Sequence, residues 1–537
     1  MPHATPAATR TLGSRLARAP WYAAFALLLA ACGSPGVSPG LQVSLGSASM
    51  AIVRGATAEV QVSLTRLGGA TDPVDLSVSG LPASVTATFS PATLDGATLT
   101  STLTVSVAAA ASGAITDLTV TATSGSLSDD VVLSLEVTSL TVVGRVQATL
   151  ARPLTGATVA SQGETVFTDA TGTFTLTGLS VPYDVTVSSA GGNGGLHVYE
   201  GMISPSPTLR PTFASLDTPT PGFDAVINGS LLGGAVGVDE VVIVCVEGLV
   251  VAVYGCDTLV AAETDFSISA AWFDGAIAAT RLHALHIEID ADSLPVAYLG
   301  YETIELNLSD GSVTLADLDF DPVDAASLTG TTAHPMSMPD SVLLVSPRFG
   351  PNLSVPIIQL DDPGADFEVL VPDLPGLGYD VLFVASGVDD TVYTWKHDVG
   401  LDAGDLVVTA PAQLVAPANG APGVDLATSF GTTEAGGGAR TYVWAPDGTG
   451  PFIGLTTTRT NVTIPDPGSG GFAFPAGLAY EWGVVGHGDG DVDEAASGGF
   501  ADFTVLSIIF SGNAGPGPDG DRTFSFPSEV RDFTFAP

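Results

Sequence analysis

From Leu41 onward the chain alternates apolar with small polar residues over five to nine positions, and clusters of Gly, Pro, Asp or Ser interrupt it about every 8 to 12 residues. A period of two puts every second side chain on one face of an extended strand, whereas the period of 3.6 that a helix needs is nearly absent. The 63 glycines and 37 prolines fall where tight antiparallel connections require them. Such a chain folds as sheet. Its 537 residues are too many for one sandwich, and at roughly 100 to 150 residues per domain they predict four or five. The expected fold is all-β, a string of tandem β-sandwich modules.

Charge narrows the partners. The chain carries 57 Asp and Glu against 15 Lys and Arg, a formal charge of -42, and Lys396 is its only lysine. Nucleic acid is excluded as a partner, because counterion release needs clustered basic side chains. At 45% hydrophobic and 13% charged residues, the chain is neither a disordered acidic tail nor a coiled coil.

The first 31 residues hold Arg10, Arg15 and Arg18, no acid, and an apolar run from Trp21 to Ala31, about half the ~20 residues of a spanning helix. That pattern is an export signal. It ends Leu29-Ala30-Ala31-Cys32, which resembles the lipobox of bacterial lipoproteins at all four positions. The resemblance implies cleavage after residue 31, lipid on Cys32 and a membrane partner reached through that lipid. Anchoring by more than one acyl chain is stable, since each buried methylene contributes about 0.8 kcal/mol. The absence of Asp after Cys32, where Gly33 stands, points by the Gram-negative sorting rule to the outer membrane or cell surface. The mature chain keeps 12 basic against 57 acidic residues, near -45.

An extracytoplasmic compartment permits disulfides, and two further cysteines remain, Cys245 and Cys256. The apolar stretch 241–253 reads as two buried strands turning at Glu247-Gly248. With that turn Cys245 pairs near Val250, so a bridge and two buried thiols both remain open.

Module boundaries follow composition. Residues 1–31 are the signal and 32–40 a linker; 41–138, 139–209, 222–322, 325–411 and 412–506 are modules; 507–537 is a tail, a flexible loop followed by an edge strand or a disordered end. The run Gly80-Leu81-Pro82-Ala83-Ser84-Val85-Thr86 to Pro91 resembles Ig-like modules of bacterial surface proteins. In the second module, Val143-Gly144-Arg145-Val146, Pro153-Leu154-Thr155-Gly156-Ala157, Thr168-Asp169-Ala170-Thr171-Gly172-Thr173-Phe174 and Val181-Pro182-Tyr183-Asp184-Val185 resemble the transthyretin-like carboxypeptidase regulatory domain, whose members carry no catalytic residues of their own. The residues themselves predict a hairpin turn over 169–172, with Phe174 and Leu176 facing inward. Asn228-Gly229-Ser230 and Thr329-Gly330-Thr331 echo the opening strand, and 366–381 restates its Phe, Leu, Pro, Tyr-Asp-Val order, so three such units are expected. The last module resembles fibronectin type III through Tyr480-Glu481-Trp482-Gly483-Val484, with Phe430 where tryptophan is common. Pro-rich stretches at 205–221 and 411–422 read as linkers or domain entries, which predicts an elongated molecule.

Chemistry is sparse. Of seven histidines, His283 and His286 look paired, but residues three apart on a strand point to opposite faces. No nucleophile elbow, zinc-protease motif or phosphate loop occurs, and no enzyme is expected. Asp317, Asp319 and Asp321, and Asp489, Asp491 and Asp493, place hard oxygen ligands at every second position, as Ca²⁺ takes them; otherwise no cofactor is expected. An acidic chain also makes such loops by composition alone. Tyr393, Trp395 and His397 share one strand face. Exposed, Tyr393 and Trp395 would stack sugars; buried, they would be ordinary core. The sequence thus points to a lipid-anchored, non-catalytic envelope protein acting as a multi-domain stalk or as an interaction or adhesion surface. Its partner would be an envelope polysaccharide or a protein, and a carbohydrate-binding lipoprotein is the alternative.

Overall fold

The computed structural model describes residues 38–148, 152–190, 194–216, 221–250, 253–273, 275–350, 353–388, 390–433, 438–447, 450–472, 477–498, 521–527 and 530–535. The signal segment 1–31, Cys32 and residues 507–520 of the expected tail lie outside the described residues. The fold is all-β, a series of tandem sandwiches, and a short helix, Val492–Ser497, accompanies the strands.

The first module packs two sheets. One runs in the order Gly40–Leu45, Thr57–Leu67, Thr100–Val107, Val85–Ser90; the other is built on the Ala114–Ser124 and Leu127–Thr138 hairpin. Val62, Leu103, Val120 and Leu133 close its core. Each lies at an alternate position of its strand, as the period of two requires.

The next three modules repeat one topology. In each, the opening strand (Leu140–Val146, Phe223–Ser230, Ala325–Ala333) pairs antiparallel with one strand and parallel with the module's closing strand (Thr208–Leu209, Ser312–Leu315, Asp402–Val407). A glycine recurs on each opening strand, with a phenylalanine directly opposite: Gly144 and Phe174, Gly229 and Phe266, Gly330 and Phe367. The ring lies over the glycine so closely that an added Cβ would sit 2.4, 2.5 and 2.6 Å from ring carbons. Only glycine admits that approach. The 169–172 turn is closed by Asp169, whose Oδ1 accepts from the N–H of Thr171 at 2.8 Å and of Thr173 at 2.9 Å, with Gly172 at φ 72°. Phe174 and Leu176 face inward.

Three expectations are corrected. The strand Glu240–Gly248 runs straight through Glu247-Gly248, so that pair is no turn. Glu247 pairs with Arg281 across the sheet, and Cys245 comes directly opposite Cys256. Second, the Pro-rich stretch after residue 204 is packed rather than a free linker, with Leu209, Phe213 and Ala214 in the second module's core. Third, the tail, expected to end in an edge strand or in disorder, contains two strands, Arg522–Pro527 and Arg531–Phe535, and they pair within the sheets of the preceding modules.

The modules are also not a simple string. Gly195–Met202 of the second module pairs in parallel with Phe452–Thr457 of the last, from Gly195 opposite Phe452 to Tyr199 opposite Thr456. Arg522–Pro527 pairs with Asp390–Val399 of the fourth. One sheet of fifteen strands among the described residues therefore spans modules two, five and four. The outer face of the third module closes on the fourth through Leu285, Ile287, Tyr298 and Phe349, and the Tyr298 hydroxyl donates to Leu370 O at 2.8 Å. His283 lies on that face, 3.5 Å from the buried Glu247 carboxylate and 2.7 Å from the Tyr301 hydroxyl; His286 instead meets Glu240 at 2.8 Å.

A chain of buried polar groups crosses the junction of the second and last modules. The Thr212 N–H donates to His197 Nδ1 at 3.1 Å, His197 Nε2 meets Thr456 Oγ1 at 2.8 Å, Thr456 meets Thr441 at 2.9 Å, and Thr441 meets His487 Nε2 at 2.9 Å. Because Nδ1 of His197 accepts a backbone N–H, that ring is the neutral Nε2–H tautomer.

Candidate functional site

Two leads that lie about a hundred residues apart in sequence, the aromatic strand and the aspartate loop, meet in one cleft. Its walls are Asp390–Val399 and Asp402–Val407 of the fourth module, and helix Val492–Ser497 and strand Arg522–Pro527 of the last. It holds about 310 Å³.

Register builds the first wall. Trp395 stands opposite Arg522 and Tyr393 opposite Phe524, so the last strand flanks the aromatic row within the sheet. Trp395 is 1% exposed and packs with Leu344, Leu382 and Phe524, while Tyr393 is half-buried beside them. Of the two readings of this strand face, Trp395 takes the buried one, ordinary core, and forms no open platform with Tyr393. Phe524, packed beside Trp395, lies 129 residues away in sequence. His397, on the same face, turns to the fully buried Asp380 at 3.1 Å, with Arg348 3.9 Å from the other carboxylate oxygen.

Around the cleft the charges pair in part. Lys396 Nζ donates to Asp521 Oδ2 at 3.0 Å, and Arg522 Nη1 donates to Glu494 Oε1 at 2.5 Å. Asp405 accepts from the Thr331 hydroxyl at 2.7 Å, and Asp489 is exposed on the opposite lip. His487 closes the inner end; burial pushes its pKa down to about 3, and the Arg522 guanidinium adds to that. It carries no charge at neutral pH.

The structure does not gather the aspartates into a calcium site. Asp491 caps the helix by accepting from Glu494 N at 2.9 Å. Asp493 reaches the other way and accepts from the N–H of Ile203 at 2.9 Å and of Ser204 at 3.1 Å, tying the helix to the second module. Burial raises its pKa, and those two donors oppose the rise. Asp317 accepts from Ser230 N at 3.1 Å, Asp319 is exposed, and Asp321 bridges Tyr301 through its backbone. Among the described residues no three His, Cys, Asp or Glu side chains stand together as metal ligands. Cys245 and Cys256 form a disulfide, with Cα atoms 4.1 Å apart.

Sequence reasoning missed Arg522 and Asp405. The signal for the first was present, since Thr523, Phe524, Ser525 and Phe526 alternate as a strand does. Nothing local marks the second.

No protein-family model matches the chain, and no curated protein matches it. Among solved structures it is similar to the titin I-band fragment I67–I69 at 12% identity and TM-score 0.15, over 52% of this chain and 99% of that one. Domains 4–9 of the surface layer protein SbsC align at 10% identity and TM-score 0.16, over 93% and 82% of the two chains. The native conformation of E. coli alpha-2-macroglobulin aligns at 10% and 0.17, over 93% of this chain and 46% of that one. At such scores these likenesses carry no argument about function. Among the described residues no helix is long and apolar enough to cross a membrane.

Proposed function

We propose that this chain is a lipid-anchored, non-catalytic protein of the bacterial envelope whose sandwich modules form a multi-domain interaction or adhesion surface. The observation that carries this reading is the continuous sheet through which the last module binds the second and the fourth. Such a sheet fixes several modules relative to one another and so supports an interaction platform better than a flexible stalk. The anchor rests on Leu29-Ala30-Ala31-Cys32, and the charge near -45 favours neutral or basic partners over polyanions. Replacement Cys32→Ser should abolish fatty-acid labelling and release the protein from the membrane fraction. Labelling and fractionation unchanged by Cys32→Ser would sink the anchor.

The second reading, a carbohydrate-binding lipoprotein, loses its stacking platform with the burial of Trp395. It keeps a specific support in the cleft between the fourth and last modules, where donor and acceptor side chains line one half-open space.

A further inference from the structure

We infer that the cleft between the fourth and last modules binds a neutral saccharide of one or two pyranose units, held by hydrogen bonds to its edges. This inference rests on the carbohydrate reading above and gives it a site that the Tyr393 and Trp395 platform does not provide.

Size is the first argument. A space of about 310 Å³ lies at the lower end of small-molecule sites, and such sites favour the seams between domains. Chemistry is the second. Asp405, Asp489 and Glu494 offer acceptors, and Lys396 and Arg522 offer donors, around one space. A sugar hydroxyl donates and accepts at once, so a polyol is the ligand class that can use both kinds of group side by side.

Charge is the third argument. The two cations of the cleft already face Asp521 and Glu494, which leaves the carboxylates of Asp405 and Asp489 without a cation opposite them in the cleft. An acidic sugar would meet like charge there and be rejected.

The test uses the full-length Cys32→Ser protein, kept soluble, with calorimetry and saturation-transfer NMR. The probes are methyl glucoside, an N-acetylglucosamine disaccharide and glucuronate. At least one neutral probe should bind and glucuronate should not. Asp405→Ala with Asp489→Ala should weaken the neutral probe at least about tenfold, as expected for lost bonds to charged acceptors. Both positions are exposed, so melting should stay unchanged. Asp405→Asn with Asp489→Asn should instead keep the neutral probe and admit glucuronate. Failure of every probe to bind, stronger binding of glucuronate by the Cys32→Ser protein, or neutral binding that ignores the Ala pair would overturn the inference. Retention on an intact polysaccharide that persists in the Ala pair would also overturn this site while leaving the carbohydrate reading standing.

Discussion

Acidification from pH 7 to pH 5 should cost the fold about 4 kcal/mol through two side chains, His197 and His487. Both rings are fully buried, and burial is the main cause that pushes each down to about 3, with the neighbouring His487 and Arg522 adding to it, respectively. In the unfolded chain each takes a proton near pH 6.5. Below pH 6.5 the unfolded state therefore binds more protons than the fold, and stability falls with pH until about 3. At pH 5 the difference is about 2 kcal/mol for each ring. The geometry agrees, since a second proton on His197 would face the Thr212 N–H that Nδ1 now accepts. Asp493, raised by burial, works in the opposite direction at lower pH. Urea midpoints at pH 7 and pH 5 measure the loss, and His197→Gln with His487→Gln should flatten the slope. A wild-type midpoint equal at the two pH values would refute this account of the junction.

Phe430→Ala should destabilise the last module by about 3 to 5 kcal/mol, the range for deleting a fully buried phenylalanine. Phe430 is the hub of that core. Its ring meets Trp444 at 5.4 Å and 88°, Trp482 at 5.0 Å and 84°, and Phe533 at 5.5 Å and 67°, and edge-to-face pairs of this kind add about 0.5 to 1.5 kcal/mol each beyond burial. Phe533 belongs to a C-terminal strand, so the substitution should loosen that strand as well. Phe430→Trp should cost about 1 to 3 kcal/mol by overpacking. Chemical denaturation followed by tryptophan fluorescence reports both, and an alanine variant within about 1 kcal/mol of wild type would show that Phe430 is peripheral.

What the sequence disclosed was local. Alternation marks individual strands, as in 58–64, which lies within Thr57–Leu67, and in 74–78, within Val74–Ser79. The Asp169 turn was legible because a carboxylate two residues before a turn amide bonds it whatever else surrounds it. The echoes at Gly144, Gly229 and Gly330 were legible because each glycine answers a phenylalanine of the next sheet strand. What stayed hidden depends on partners far along the chain. Whether Trp395 faces solvent is decided by Phe524, and no residue near Trp395 records that strand. Parallel pairing of Gly195–Met202 with Phe452–Thr457 needs no turn and so leaves no turn signal. Glu247-Gly248 looked like a turn because Glu and Gly are rare inside strands; a facing His283, itself held by the Tyr301 hydroxyl, makes the acid tolerable there.

The account's central claim is that the last module is joined to the second by one sheet, and a spin-label distance tests it most directly. Phe167 and Glu481 are exposed, and the register runs from Phe167 through Thr158, Ser188, Leu196, Ile453 and Trp444 to Trp482, the neighbour of Glu481. Six steps of ~4.8 Å give about 29 Å between the two strands. Labels on Phe167→Cys and Glu481→Cys in the Cys32→Ser protein, with the Cys245–Cys256 bridge intact, should return one narrow distribution near that value by double electron–electron resonance. A broad distribution extending far beyond it would mean that the modules hang as separate beads and that no continuous sheet joins them.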